Sequence, residues 1–246
     1  MTDKVVLIVQ ARMGSSRLPK KSLMDLAGKP LVGRLIERVK RCQNIDDIVL
    51  AIPNTIENDP LEDLANSYDI NLYRGSEDDL VDRYYKAAKE FDAAIVGRLP
   101  ADNPMPEPYE IDRIIDYHKK SNNAFSSNLS EVFNNGYPDG IGAEMIDFKA
   151  LETVWKECKN PKWREHVHLN FFNYNDQKQV DIRFEVGTIE CPENFRRPEI
   201  ILDVNTQEQY EFIKQIYEYL YHDNPYFHII DVLNWYDSIY LKKITQ

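Results

Sequence analysis

The chain reads as an α/β protein built on an open, mostly parallel sheet flanked by helices, and three observations predict this. Residues 5–9 form a short, continuous apolar and β-branched run, as a strand buried on both faces requires. A stretch of helical apolar spacing follows, and a second apolar run at 48–52 completes a strand–helix–strand unit. Strand and helix then alternate about four times through the first half, a pattern that builds parallel sheets with right-handed crossovers.

Each element has its own signal. Pro30 opens a helix on which Val32, Leu35, Ile36 and Val39 share a face. Asp59-Pro60-Leu61-Glu62 offers a capping acid, a proline at the first helical position and a glutamate at the third, predicting a helix to about Tyr68. A short strand over 71–73, a helix over 77–91, a strand over 93–98 and a helix over 108–121 burying Ile111, Ile114 and Ile115 follow. The second half is less regular. Residues 184–189 could form a strand, and Thr206 with Gln209 three residues on caps a helix whose Phe212, Ile213, Ile216 and Leu220 share a face. With no linker, repeat or low-complexity tract, residues 1–246 are expected to form one domain. Its less regular region around 125–200 is expected to bind an acceptor or support oligomerisation, with a homodimer as one arrangement. The tyrosines from Tyr217 to Tyr240 suit a core or subunit contact better than a cofactor box.

Composition excludes several classes. With 43% hydrophobic and 29% charged residues and no apolar run near the roughly 20 needed to span a bilayer, no membrane role is expected. The first residues lead straight into a strand pattern without the basic and apolar regions of a signal peptide, so a cytoplasmic location is expected. Cys42, Cys158 and Cys191 are far apart and form no C-x-x-C pair, which argues against disulfides and structural zinc. A net charge of -11 disfavours a nucleic-acid partner. From Lys4 to Met24, however, there are five basic residues and no acidic one, a local pocket of positive charge suited to a small anion.

That segment holds the chemistry. The loop Gln10-Ala11-Arg12-Met13-Gly14-Ser15-Ser16-Arg17-Leu18-Pro19-Lys20-Lys21 leaves the carboxyl end of the first strand, where open α/β sheets bind ligands. Gly14 permits a tight turn and close approach to phosphate oxygens, the serines add hydroxyl donors, and Arg12, Arg17, Lys20 and Lys21 add charge. The loop is neither a Walker A motif nor a dinucleotide G-x-G-x-x-G fingerprint. On residue types alone, a phosphate cradle and a solvated basic loop both stay open.

The same loop with the flanking Ile8-Val9 and Gly28-Lys29-Pro30-Leu31 resembles the signature of the cytidylyltransferase family that includes CMP-KDO synthetase and acylneuraminate cytidylyltransferase, above all its SpsF-like branch of spore coat polysaccharide biosynthesis. The blocks Arg74-Gly75-Ser76-Glu77-Asp78-Asp79-Leu80-Val81-Asp82-Arg83-Tyr84, Arg98-Leu99-Pro100-Ala101-Asp102-Asn103-Pro104, Tyr137-Pro138-Asp139-Gly140 and Arg164-Glu165-His166-Val167 extend the resemblance, as does the segment around 202–209. The resemblance implies a nucleotide-diphospho-sugar transferase-like (GT-A/Rossmann-like) fold. It implies transfer of the NMP part of a nucleoside triphosphate, CTP in this family, to a sugar, sugar acid or small phosphorylated acceptor, with release of pyrophosphate. Lys21, Arg12 and Arg17 would be catalytic, and Gln10, Ala11, Arg12, Met13, Gly14, Ser15, Lys21, Gly75, Ser76, Arg83, Arg98 and Asp102 would bind the nucleotide. The usual glycine before the lysine is Lys20 here, so either Lys20 or Lys21 could take the phosphate role.

The resemblance makes Asp102 a ligand of magnesium (Mg2+), an ion that needs only one or two protein carboxylates when phosphates complete its shell. Relatives place a second aspartate where this chain has Asn205. Asp203, two residues earlier and on the same side of an extended strand, could replace it. Glu144, Arg164 and His166 are the acceptor-binding candidates. A glycosyltransferase of the GT-A type is the main rival, disfavoured because the chain has no D-x-D. A non-catalytic nucleotide-binding homologue and a guanylyl- or adenylyltransferase also stay open.

Overall fold

The computed structural model describes residues 3–14, 17–129 and 132–244. Its strands are β1 (Val5–Gln10), β2 (Asp25–Leu26), β3 (Lys29–Pro30), β4 (Asp47–Pro53), β5 (Asn71–Gly75) and β6 (Ile95–Pro100), then β7 (Phe125–Ser127), β8 (Glu144–Asp147), β9 (Phe172–Asn173), β10 (Lys178–Gln179) and β11 (Val186–Gly187). The α-helices are α1 (Leu31–Val39), α2 (Asp59–Ser67), α3 (Leu80–Glu90), α4 (Pro108–Lys120), α5 (Phe148–Glu157), α6 (Pro161–Glu165), α7 (Gln207–Leu220), α8 (Ile229–Trp235) and α9 (Leu241–Ile244).

Seven strands form one sheet in the order β11-β7-β8-β6-β1-β4-β5. β8 pairs antiparallel with both β6 and β7, while β1 runs parallel to β4 and β6, β4 to β5, and β7 to β11. The expected open, mostly parallel sheet is therefore present, with one strand reversed. Two small antiparallel ribbons, β2–β3 and β9–β10, stand apart from it.

β1 shows why its sequence is apolar throughout. Val5, Leu7 and Val9 face a core made with α1, α2 and α4, through Leu35, Leu61 and Ile114 among others. Val6 and Ile8 face the opposite core, made with α3 and α5 through Tyr84 and Leu151. Period-2 alternation thus feeds two helical layers at once. A third cluster, in which α7 and α8 contribute Ile213, Ile216, Tyr217, Val232 and Trp235, closes over Leu18 and Leu26 and brings the C-terminal part of the chain against the basic loop. The C-terminal tyrosines mostly join it: Tyr217 is buried, and Tyr236 and Tyr240 pack on its edge.

Several boundaries differ from expectation, for local reasons. Asp59 is not a cap but the first residue of α2, behind Asn58, which makes no side-chain cap bond. The helix expected from 77 starts at Leu80, because the Asp79 carboxylate accepts from the Asp82 N–H and so caps α3 there. The strand expected over 93–98 lies at Ile95–Pro100, and the one expected over 184–189 is only the two-residue β11. The less regular region is no loose appendage: it supplies β7, β8 and β11, almost half the sheet. The Thr206–Gln209 capping box is formed as expected. The three cysteines are free, Cys191 buried and the others half-buried.

Candidate active site

At the carboxyl ends of β1 and β6 the backbone stops pairing and opens a crevice of about 230 Å3. Gln10, Ala11, Pro100, Ala101 and Asp102 form its floor, the basic loop contributes Arg12, Arg17, Lys21 and Ser22, Glu77 comes from the loop before α3, and Leu80 and Arg83 come from its first turn. Glu165 and His166, from the end of α6, complete it.

The loop is held at its base. Ala11 N–H continues the β1–β4 ladder to Ala51 O at 3.2 Å, and Met13 N–H donates to Asn58 Oδ1 at 2.9 Å. Lys20 N–H returns to Met13 O at 3.2 Å, and the chain turns into a 3-10 segment, Lys21–Leu23. Lys20 makes that turn in the left-handed region, at φ 58° and ψ 19°. This is the conformation glycine adopts most easily, in keeping with the glycine that the family resemblance leads one to expect before the lysine. Gly14, by contrast, has no positive φ, and among the described residues a Cβ there would meet only Glu77 Oε1 at 3.9 Å. The β2–β3 hairpin beyond turns through Ala27 and Gly28, both with positive φ as a type I′ turn demands.

The turn at Lys20 leaves its side chain exposed and sends that of Lys21 inward. Lys21 Nζ lies 2.7 Å from Asp102 Oδ2, 2.9 Å from Val204 O and 3.4 Å from Asn205 Oδ1. Val204 N–H donates in turn to Asp102 O at 2.8 Å, so the segment carrying Asp203 and Asn205 is laced to the end of β6. Asp203 accepts from Gln209 Nε2 at 3.1 Å and from Asn205 Nδ2. Burial, then the nearby Asp139 and Asp102 carboxylates, push Asp203 up to about 6 against the pull of Lys21. Asp139 lies in the family-like block Tyr137–Gly140, but residue type alone gives it no place in the site; pairing between 139 and 201 brings it beside Asp203, and local sequence does not reveal that pairing.

Asp102, Asp203 and Asn205 are thus the oxygen donors that converge beside Lys21. Among the described residues no group of three or more His, Cys, Asp or Glu side chains is arranged to hold a metal by itself. The set fits a hard cation that shares its shell with a ligand's oxygens, and the raised Asp203 marks negative charge such a cation would relieve.

At the α3 end, Arg83 is 2% exposed, with Nε and one terminal nitrogen, Nη1, buried and unpartnered among the described residues. Burial is the main cause lowering its pKa to about 10, with Arg12 acting in the same direction. Gly75 makes room for it: a Cβ there would lie 2.7 Å from Tyr73 Cε1 and 3.1 Å from Arg83 Cγ. Gln10 Oε1 is likewise buried and unpartnered.

The remaining sequence candidates are placed elsewhere. Met13 packs on the core and does not line the crevice, and the Ser76 hydroxyl accepts from Asp79 N–H at 3.1 Å within the loop before α3. Arg98 and Glu144 face each other across β6 and β8 and form a buried ion pair at 2.6 Å, so neither reaches the crevice as a nucleotide or acceptor ligand. Arg164 donates to Asp79 Oδ2 at 2.6 Å and to the carbonyls of Trp155 and Cys158, clamping α6 onto the cap of α3 rather than facing an acceptor. That clamp positions the neighbouring Glu165 and His166 on the crevice wall. Ser15 lies outside the described residues. Ser22, Leu80 and Glu165 also line the site, although residue type does not mark them; each lies in or beside a family-like block, and only its folded orientation distinguishes it.

The chain is similar to several known proteins. Residues 6–229 match the family model described as Cytidylyltransferase. The chain is 30% identical to the spore coat polysaccharide biosynthesis protein SpsF of Bacillus subtilis (strain 168), over 88% of this chain and 87% of that protein. A solved cytidylyltransferase from Leptospira borgpetersenii serovar Hardjo-bovis superposes with a TM-score of 0.83 and 25% identity, covering 95% of this chain and 94% of the other. A CMP:2-keto-3-deoxy-manno-octonic acid synthetase complexed with CTP shares the fold, with a TM-score of 0.64 and 17% identity over 87% and 98% of the two chains. Among the described residues no helix is long and apolar enough to cross a membrane. Sheet order, basic loop and family match lead to one conclusion: the chain belongs to the cytidylyltransferase family and is a nucleotidyltransferase.

Proposed function

We propose that this enzyme uses CTP to activate a small acceptor, a sugar, a sugar acid or a phosphorylated small molecule, for surface polysaccharide or glycoconjugate synthesis. The observation that carries the reading is the Lys21–Asp102 contact at 2.7 Å, set beside the basic loop at the end of a parallel sheet. An acceptor oxygen would attack the α-phosphorus of CTP, the new oxygen–phosphorus bond forming as the bond to the bridging oxygen breaks and pyrophosphate departs.

Such transfer is governed by alignment and charge stabilisation rather than by covalent participation of the protein. Lys21 is held by Asp102 and Val204 O, so its ammonium would need little reorganisation to meet the charge that grows on the phosphoryl oxygens. Arg12 and Arg17, exposed along the same wall, would draw in and hold the triphosphate. Magnesium would be held by Asp102 with Asp203 or Asn205 and would supply neutralisation of phosphate charge. His166 and Glu165, opposite the basic loop, are the groups available to an acceptor. The similarity to SpsF supports a product destined for polysaccharide.

The test is a screen of the four ribonucleoside triphosphates, each with magnesium, for protection against thermal unfolding. Pyrophosphate release with the best of them is then assayed against a panel of sugar acids, sugars and phosphorylated acceptors. CTP should protect most and support release with one acceptor class. A clear preference for ATP or GTP would overturn the cytidylyl reading.

A further inference from the structure

A second concentration of positive charge lies away from the crevice, in a cavity of about 310 Å3 between α1 and the segment that follows α7. The two cavities share no lining residue. Lys29, Arg34, Arg38, Lys40 and Arg41 line this one with a single carboxylate, that of Glu37, in a chain whose net charge is -11. Glu37 is already paired with Lys29 and Arg34, and Glu107, from outside the lining, meets Arg38 at 3.5 Å. Five cations against two carboxylates leave three positive charges without a counter-ion.

Lys40 and Arg41 are the cations least provided for. Lys40 Nζ reaches the carbonyls of Tyr68 and Asp69, while Arg41 Nη2 donates to Tyr226 O at 3.2 Å and lies 3.1 Å from His228 Nε2; neither forms an ion pair among the described residues. Carbonyls satisfy hydrogen bonds without cancelling charge. The C-terminus of α1 offers these cations only about half a negative charge through the helix dipole, too little to neutralise the set. Burial, then the neighbouring Arg38, holds Arg41 below the usual arginine range, a strain that an anion would relieve. Arg34 and Arg38, 1% and 5% exposed, make a fixed back wall, each bonded to two carbonyls and one carboxylate. The rim carries a flat surface as well. Tyr226 is 67% exposed with Arg41 Cζ 5.4 Å from its ring centroid, and Pro225 stands beside it.

We propose that this cavity is a second binding site, for a small phosphate monoester carried on a sugar or a nucleoside: the phosphate lies against Lys40 and Arg41, and the ring body packs on Tyr226 and Pro225. A phosphate monoester brings a charge of about -1.5 to -2 at neutral pH, close to the excess the cavity holds, and its oxygens suit the guanidinium fork. The cavity exceeds the 230 Å3 of the crevice, so it has room for an organic body and not for a lone ion only. An extended polyanion fits less well, because the rest of this acidic chain repels it.

The experiment is calorimetric titration of the full chain at low salt with a hexose phosphate, CMP, inorganic phosphate, heparin, and the hexose and cytidine without phosphate. The proteins are wild type, Arg41→Gln, the double variant Lys40→Gln with Arg41→Gln, Arg41→Lys, and Lys21→Met, which weakens the crevice. At least one organic phosphate should bind about tenfold or more tightly than its unphosphorylated counterpart and more tightly than inorganic phosphate. That binding should persist within about threefold in Lys21→Met, weaken about tenfold or more in the double variant, and be partly kept in Arg41→Lys. Pyrophosphate release by the double variant should stay within about twofold of wild type, since neither residue lines the crevice. Binding lost in Lys21→Met and unchanged in the double variant would put the phosphate in the crevice alone and overturn the inference. So would wild-type binding of heparin but of no small phosphate, or no binding at all. Inorganic phosphate held as tightly as both organic phosphates would overturn the part given to Tyr226 and Pro225. Lys40 is exposed and Arg41 half-buried, so the variants should fold, with thermal midpoints as the check; should the double variant not fold, Arg41→Gln decides alone.

Discussion

Replacing Lys21 by methionine should separate the lysine that works from the lysine that turns the chain. Lys21 Nζ is fixed by Asp102 Oδ2 at 2.7 Å and Val204 O at 2.9 Å, and its side chain is only 14% exposed, so the charge is aimed and partly shielded before substrate binds. Loss of one such preorganised donor at a reacting centre costs about 2.7–4 kcal/mol, a fall of roughly 10²–10³ in kcat. Lys20 sits one residue away, exposed, with a backbone constraint and no ion pair among the described residues, so Lys20→Met should change kcat by no more than a few-fold. Methionine keeps most of the aliphatic stem, so the fold should survive; the lost contact is partly exposed, and a stability loss of about 1–2 kcal/mol is the most it should cost. The assay is initial-rate pyrophosphate release at saturating CTP and magnesium, with thermal unfolding as a control. Near-normal activity in both variants, or equal losses in both, would refute the reasoning.

Three further outcomes follow from the same contacts. Lys20→Gly should raise stability by up to about 1 kcal/mol in chemical denaturation, because glycine holds a φ of 58° without the Cβ clash. Arg98→Met, which strands Glu144 in a fully buried position, should cost about 3–5 kcal/mol of stability, while replacing both partners by apolar residues should recover much of it. His168, half-buried and near Arg98 and His166, is lowered from the ordinary histidine range to about 2, chiefly by its removal from water. Below pH 6.5 the unfolded chain therefore takes up a proton that the folded chain refuses, and stability should fall by up to about 1.4 kcal/mol per pH unit as pH drops toward 2. His168→Gln should flatten the difference in denaturation free energy between pH 7.5 and 5.5; an identical pH dependence in the variant would show that other groups carry it.

The first half of the fold is legible in the sequence because its strands are buried on both faces, and continuous apolar runs such as 48–52 leave little else to be. The strands that escape such a reading are short and polar on one side. β7 is Phe-Ser-Ser, and β8 carries Glu144, which reads as a surface or ligand residue until β6 places Arg98 opposite it. No local pattern announces an ion pair made across 46 residues. The same limit explains Arg164, whose charge suggests a ligand but whose partners are Asp79 and two carbonyls in the folded chain. The basic loop and Asp102 are legible as chemistry because their residue types and their position after parallel strands point one way. The turn at Lys20 and the neighbourhood of Asp139 with Asp203 depend on backbone conformation and long-range pairing, which residue types do not encode.

A crystal structure of the chain with CTP and magnesium is the most direct examination of the site. The triphosphate should lie between the loop and Asp102, with Lys21 Nζ within hydrogen-bonding distance of a phosphate oxygen. Nucleotide lodged in another groove, with Lys21 still bound only to Asp102 and Val204, would contradict the assignment of this crevice as the active site.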